Sequence, residues 1–143
     1  MSEEIFITTN TEQTQELALD LAKKLKSGDF LAFFGDLGSG KTTFIQGLAK
    51  SLGVKRRIIS PTFIIVRTYL INSGTFYHID LYRTQSKDDL FGLGIDQIVQ
   101  DKTSIVAIEW AEKMGDMLPQ KRIELHFKNL AENKREIKIK KYE

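Results

Sequence analysis

The sequence predicts one α/β domain across residues 1–143: a mixed sheet with parallel central strands, helices packed on it, and an antiparallel portion at the C-terminal end. Three observations carry this expectation. Residues 30–34 form a continuous apolar run too short for a helix, which reads as a strand buried on both faces, and residues 105–108 form a second. Between such runs lie stretches of helical period. Residues 122–128 and 136–141 alternate apolar and polar side chains, as a half-buried antiparallel pair does.

Residues 4–9 are β-like. Asn10 or Thr11 can cap a helix, with Gln13 placed to complete a capping box. Leu17, Ala18, Leu21, Ala22 and Leu25 then make one apolar helical face, ended by Ser27-Gly28. The strand at 30–34 leads into a glycine-rich loop, and a helix over Lys41–Leu52 stops at Gly53, a left-handed cap. Residues 63–71 and 76–80 are strand candidates joined by Asn72-Ser73-Gly74, a hairpin signal. Residues 86–101 form a polar helical stretch interrupted near Gly92 and Gly94. The last antiparallel pair turns near Glu132-Asn133.

Composition narrows the function classes. No apolar run reaches the length of a membrane span. The start, Met1-Ser2-Glu3-Glu4, lacks the basic-then-apolar order of a secretion signal, and the chain has no cysteine, so a cytoplasmic location is expected. Twenty-one basic against 19 acidic residues give a net charge of +2, too balanced to argue for nucleic acid by itself. Basic residues nevertheless cluster at Lys55-Arg56-Arg57 and from Lys134 to Lys141. Solvated surface accounts for such clusters; docking of RNA or a protein partner is the alternative.

Chemistry concentrates in Gly35-Asp36-Leu37-Gly38-Ser39-Gly40-Lys41-Thr42, which fits G-x-x-x-x-G-K-[ST] at every fixed position. The match follows a strand and opens a helix, as a P-loop must. Glycines let backbone N–H groups close around phosphate oxygens, and the helix adds free N–H groups and its positive end. Lys41 can reach the β- and γ-phosphates and Thr42 can hold magnesium. The expected phosphate contacts are therefore Leu37, Gly38, Ser39, Gly40, Lys41, Thr42 and Thr43. Magnesium on such a loop also needs a carboxylate at a neighbouring strand end, and two positions qualify: Asp80 after residues 76–79 and Glu109 after 105–108. The residues do not rank the two. Lys41, Asp80 and Glu109 are the candidate catalytic set, and Thr42, Glu109 and Asp80 the candidate metal set. His78 reads as a packed strand residue rather than a base, and Trp110 as packing or a stacking surface. Asp89-Leu90-Phe91-Gly92 and Asn133-Lys134-Arg135-Glu136 imitate guanine-nucleotide signatures. The first follows no apolar strand, and the second ends in Glu where Asp is required.

Four blocks in order resemble the bacterial TsaE family, also called YjeE: Gly35–Thr43, Ser60-Pro61-Thr62-Phe63, His78-Ile79-Asp80-Leu81-Tyr82-Arg83 and Ile108-Glu109-Trp110. The likeness spans nearly the whole chain. It implies a P-loop ATPase needed for N6-threonylcarbamoyladenosine at position 37 of tRNA, with ATP preferred to GTP. It also implies Thr42 and Glu109 at magnesium, Asp80 close by, and Ser60-Pro61-Thr62 as a switch-like segment. The base would lie between Thr11 and the last hairpin at Lys134 and Arg135. Family members hydrolyse ATP slowly alone and act with TsaD and TsaB. Ser39 departs from the alanine common there; serine is small enough to fit.

The expected mechanism is ATP hydrolysis coupled to a partner's conformational change. Arg67 and Arg83 are candidate charge-stabilising arginines but read more readily as structural, and the absence of such an arginine would leave the partner to complete the site. A small-molecule kinase is the first rival, although no arginine-rich lid or acceptor segment is evident. A nucleotide-gated binding module is the second.

Overall fold

The computed structural model describes residues 1–36, 38–56 and 65–143. In chain order the elements are β1 (Ser2–Thr8), α1 (Thr11–Ala22), β2 (Phe30–Phe34), α2 (Lys41–Leu52), β3 (Val66–Ile71), β4 (Gly74–Asp80), α3 (Lys87–Gly92), α4 (Ile95–Gln100), β5 (Ser104–Glu109), a 3₁₀ segment (Ala111–Met117), β6 (Arg122–Ala131) and β7 (Lys134–Tyr142). The strands make one mixed sheet in the order β1-β7-β6-β2-β5-β4-β3.

β2 is the keel of the sheet. It runs parallel to β5 on one side and to β6 on the other. Its odd residues, Leu31 and Phe33, face the core beneath α1 and α2, while Phe30 and Ala32 face the core beneath α3, α4 and the 3₁₀ segment. Burial on both faces is why the run is continuously apolar. Phe33, Phe44 and Phe127 interlock at centroid separations of 5.6–6.0 Å and fix α2 over the carboxyl end of β2. Each such ring contributes about 1.5–3 kcal/mol by leaving water.

Local signals explain the element ends. Asn10 caps the helix by accepting from the Gln13 amide at 2.8 Å, while Gln13 Oε1 reaches back one residue beyond the expected box and accepts from the Thr9 amide at 2.7 Å. Gly53 caps α2 with φ 101°. The polar stretch after Ser86 divides at Leu93-Gly94 into α3 and α4, with Gly94 at φ 75°. The first hairpin pairs Ile71 with Gly74, and the second pairs Ala131 with Lys134 through Asn133 at φ 62°. Of the strand expected over 63–71, residues 63 and 64 lie outside the described residues.

The expected mixed sheet is thus present, and the 3₁₀ segment Ala111–Met117 links β5 to β6. No helix among the described residues is long and apolar enough to cross a membrane. Parallel β2, β4 and β5 bring three carboxyl ends to one edge of the sheet. In register, Phe33 and Asp80 both stand opposite Glu109.

Candidate phosphate-binding site

At that edge the chain leaves β2 at Phe34 and enters α2 at Lys41. Gly35 has φ 142°, and a Cβ there would lie 2.8 Å from the Phe127 carbonyl and 2.9 Å from Ser39 Oγ, so only glycine fits. Gly40, at φ 99°, is the αL residue that turns the loop into the helix. Ser39 is buried, and its hydroxyl has no partner among the described residues. A small polar group thus sits at the loop floor. Leu37 lies outside the described residues, as does the Ser60-Pro61-Thr62-Phe63 block.

Lys41 is folded inward and only 4% exposed. Its Nζ donates to the Gly35 carbonyl and sits 4.1 Å above the centre of the Trp110 ring. Burial lowers its pKa, opposed by the charges of Glu109, Glu112, Asp80 and Asp36. Trp110 is held in the left-handed region (φ 59°, ψ 43°) directly after β5, an uncommon conformation for a bulky residue. Its ring also meets Tyr82 at 5.1 Å.

The carboxylates differ in setting. Glu109 is 3% exposed, receives the Thr42 hydroxyl at 3.3 Å on Oε1 and pairs with His78 Nε2 at 2.7 Å on Oε2. Asp80 is half-buried and accepts the Tyr82 amide at 2.9 Å. Burial, followed by the neighbouring Glu109 charge, raises the Asp80 pKa against the pull of the Tyr82 hydrogen bond. A hydroxyl and two carboxylates converging without a competing sulfur donor are the oxygen set a hard divalent cation takes. The Glu109 charge that adds to burial in raising Asp80 would be offset by such a cation.

The structure therefore brings together Gly38, Ser39, Gly40, Lys41, Thr42, Thr43, Asp80 and Glu109 around one cavity of about 220 Å³. Thr11 lies on a smaller recess beside it, with Thr43 and Asn133. Lys134 is exposed at the start of β7; the hairpin side chain that reaches the loop is Arg135. Arg135 Nη2 approaches the Gly38 carbonyl at 3.4 Å. The arginine lining the cavity is thus Arg135, not Arg67 or Arg83. Sequence reasoning also read His78 as packing alone. It is fully buried, yet its Nε2 holds Glu109. The available signal was its i, i+2 spacing to Asp80, which puts both on one face of β4.

Comparison with known proteins is consistent across the chain. The family model "Threonylcarbamoyl adenosine biosynthesis protein TsaE" matches residues 8–137. The tRNA threonylcarbamoyladenosine biosynthesis protein TsaE of Bacillus subtilis is 38% identical over 130 residues, covering 91% of this chain and 80% of that protein. Its namesake in Treponema pallidum is 32% identical over 133 residues, covering 93% and 97%. The crystal structure of Bacillus subtilis YdiB superimposes with a TM-score of 0.77 at 33% identity, over 99% of this chain and 87% of that one.

Proposed function

The chain belongs to the TsaE family of tRNA threonylcarbamoyladenosine biosynthesis proteins, and from that premise we propose that it is a magnesium-dependent ATPase of slow basal turnover that acts with TsaD- and TsaB-type partners. The observation that carries this reading is the linked set at the carboxyl edge of the sheet. The P-loop threonine, Thr42, is bonded to Glu109, which is bonded to buried His78, all beside inward-folded Lys41.

ATP would place its phosphates in the amides of residues 38–43, over the positive end of α2. Lys41 neutralises the β- and γ-phosphate oxygens. Thr42 and Glu109 would hold magnesium, with Asp80 within reach of its water shell; the ion supplies charge neutralisation on the phosphoryl oxygens. Asp80 orients the attacking water. That water's oxygen bonds to the γ-phosphorus as the bond to the β–γ bridging oxygen breaks, leaving ADP and phosphate with release of the water's proton. Thr11 and Asn133 border the recess left for the nucleoside, with Lys134 exposed on the same hairpin, and Arg135 lies where it can meet phosphate charge.

Slow turnover follows from the resting position of Lys41. Its ammonium is already satisfied by the Gly35 carbonyl and the Trp110 ring, so it must exchange these for phosphate. A partner that moves Trp110 would ease that exchange. The test is ATP turnover with magnesium by the parent and by Lys41→Ala, each alone and with a purified TsaB–TsaD pair. Loss of turnover in the variant and acceleration of the parent by the pair are expected. An undiminished rate in Lys41→Ala would overturn the assignment, and no acceleration would remove the partner role.

A further inference from the structure

The other end of β2 carries a different surface. Where β2 and β6 begin and β7 ends, the chain leaves a concavity of about 260 Å³. It is separated from the P-loop by the five residues of β2, roughly 17 Å at the usual rise per residue. Five basic side chains from three elements converge on it: Lys24 and Lys26 beyond α1, Lys121 and Arg122 entering β6, and Lys141 near the end of β7.

The two acids that share the concavity, Asp29 and Glu143, do not quench them. Asp29 is engaged by the Lys26 backbone amide at 2.8 Å, and Lys24, Lys26, Lys121 and Lys141 form no ion pair among the described residues. Arg122 is bonded to Glu124 at 2.7 Å and lies 4.2 Å over the Tyr142 ring, which makes a fixed planar wall. Lysines after a helix end suit its negative pole, but that accounts for Lys24 and Lys26 only, not for Lys121 and Lys141. The apolar part of the lining is confined to partly exposed Ile123 and the Tyr142 ring, Phe30 being only 4% exposed, so charge dominates the surface. An acidic protein partner would need apolar contact around its charges. A phosphate backbone needs only mobile point charges.

We propose that this concavity is a docking surface for the phosphate backbone of RNA, tRNA being the species the family's role supplies. It rests on the family membership and not on the ATPase assignment. Because it lies at the far end of β2, RNA and nucleotide can be held at once.

The test is fluorescence anisotropy of labelled unmodified tRNA with the full chain, across a salt series. The variant Lys24→Glu/Lys26→Glu/Lys121→Glu/Lys141→Glu should weaken binding at least tenfold. At about 0.9 counterions released per phosphate contact, neutralising the same four positions with Gln should flatten the slope of log affinity against log salt by roughly 3–4. Affinity for ATP, measured in parallel, should not change, which also reports intact folding. Reversal of the exposed Lys50, Lys55, Lys87 and Lys128, outside the concavity, makes the same change in net charge and serves as the control. The proposal is overturned if the parent does not bind tRNA, if the control variant loses as much as the groove variant, if the Gln variant leaves the salt slope unchanged, or if polyglutamate competes as well as RNA. Failure of the ATPase reading would show separately, in Lys41→Ala.

Discussion

Removing the His78 imidazole tests the site and the core together. Glu109 is almost wholly buried, and one of its oxygens depends on His78 Nε2 at 2.7 Å, while Thr42 serves the other at a weaker 3.3 Å. His78→Ala leaves a buried carboxylate short of its stronger partner and opens a hole under β4. Breaking a buried pair from one side costs about 3–5 kcal/mol. The surviving Thr42 bond and the nearby Lys41 ammonium argue for the lower end, about 3 kcal/mol, or roughly 10 °C in Tm for a domain of this size. Since His78 also fixes which Glu109 oxygen faces Thr42, the magnesium concentration needed for tight nucleotide binding should rise about 10- to 100-fold. Urea denaturation reads the first effect; titration of Mg²⁺ or Mn²⁺ against a non-hydrolysable ATP analogue reads the second. His78→Gln, whose amide nitrogen can reach Glu109, should recover part of both. A stability loss under about 1 kcal/mol together with an unchanged metal requirement would refute the positioning role.

Three further outcomes are expected. The folded-state pKa of Asp80 lies above its unfolded value, mainly through burial and then through Glu109, so its contribution to stability is present below the unfolded pKa and is lost as pH rises through the folded one. Asp80→Asn should therefore be the more stable protein without nucleotide at about pH 7, with the advantage closing near pH 3, below the usual carboxylate range; urea midpoints at the two pH values decide it. Trp110 is the sole tryptophan, so its emission should change when ATP draws Lys41 from its ring. A Lys41→Met protein should lack that change, and a parent-like response from it would disprove the contact as its source. Gly47→Ala would put a Cβ 3.1 Å from Gln15 Cα and 3.2 Å from Ala18 Cβ, between α1 and α2. Overpacking of about 1–3 kcal/mol, offset by about 1 kcal/mol of helix propensity, predicts a net loss near 1 kcal/mol by denaturant melt, with nucleotide affinity retained.

The sequence made the central features readable because each has a local cause. The run at 30–34 is apolar on both faces because helical layers cover both, and the loop after it can only be glycine-rich if backbone must close on phosphate. Asp80 and Glu109 were legible as strand ends. That they stand side by side was not, since β4 and β5 pair across two intervening helices and no local pattern encodes their register. The same limit hid the His78–Glu109 bond. Lys134 and Arg135 differ in role because successive strand residues point to opposite faces, and the phase is set by Ile137 and Ile139 entering the core. The convergence at the far end of β2 was invisible because Lys26, Lys121 and Lys141 are brought together only by the sheet.

The pairing of β1 with β7, Ser2 opposite Lys141 through Thr8 opposite Arg135, has a consequence for how the molecule is made. Among the described residues β1 finds its only sheet neighbour in β7, and every other strand lies between the two in sequence. Until β7 exists, β1 is a loose β-prone segment carrying Ile5 and Ile7, both about half exposed even when folded. Closing that contact spans nearly the entire chain, so its entropic cost comes late and all at once. Meanwhile β2 with α2 and the β3–β4 hairpin can assemble from near neighbours. Arg135, which touches the P-loop, belongs to the strand that captures β1. The phosphate loop thus gains its hairpin wall in the same late event that sews in the N-terminal strand, and truncating β1 should be felt in nascent-chain aggregation before it is felt in phosphate binding.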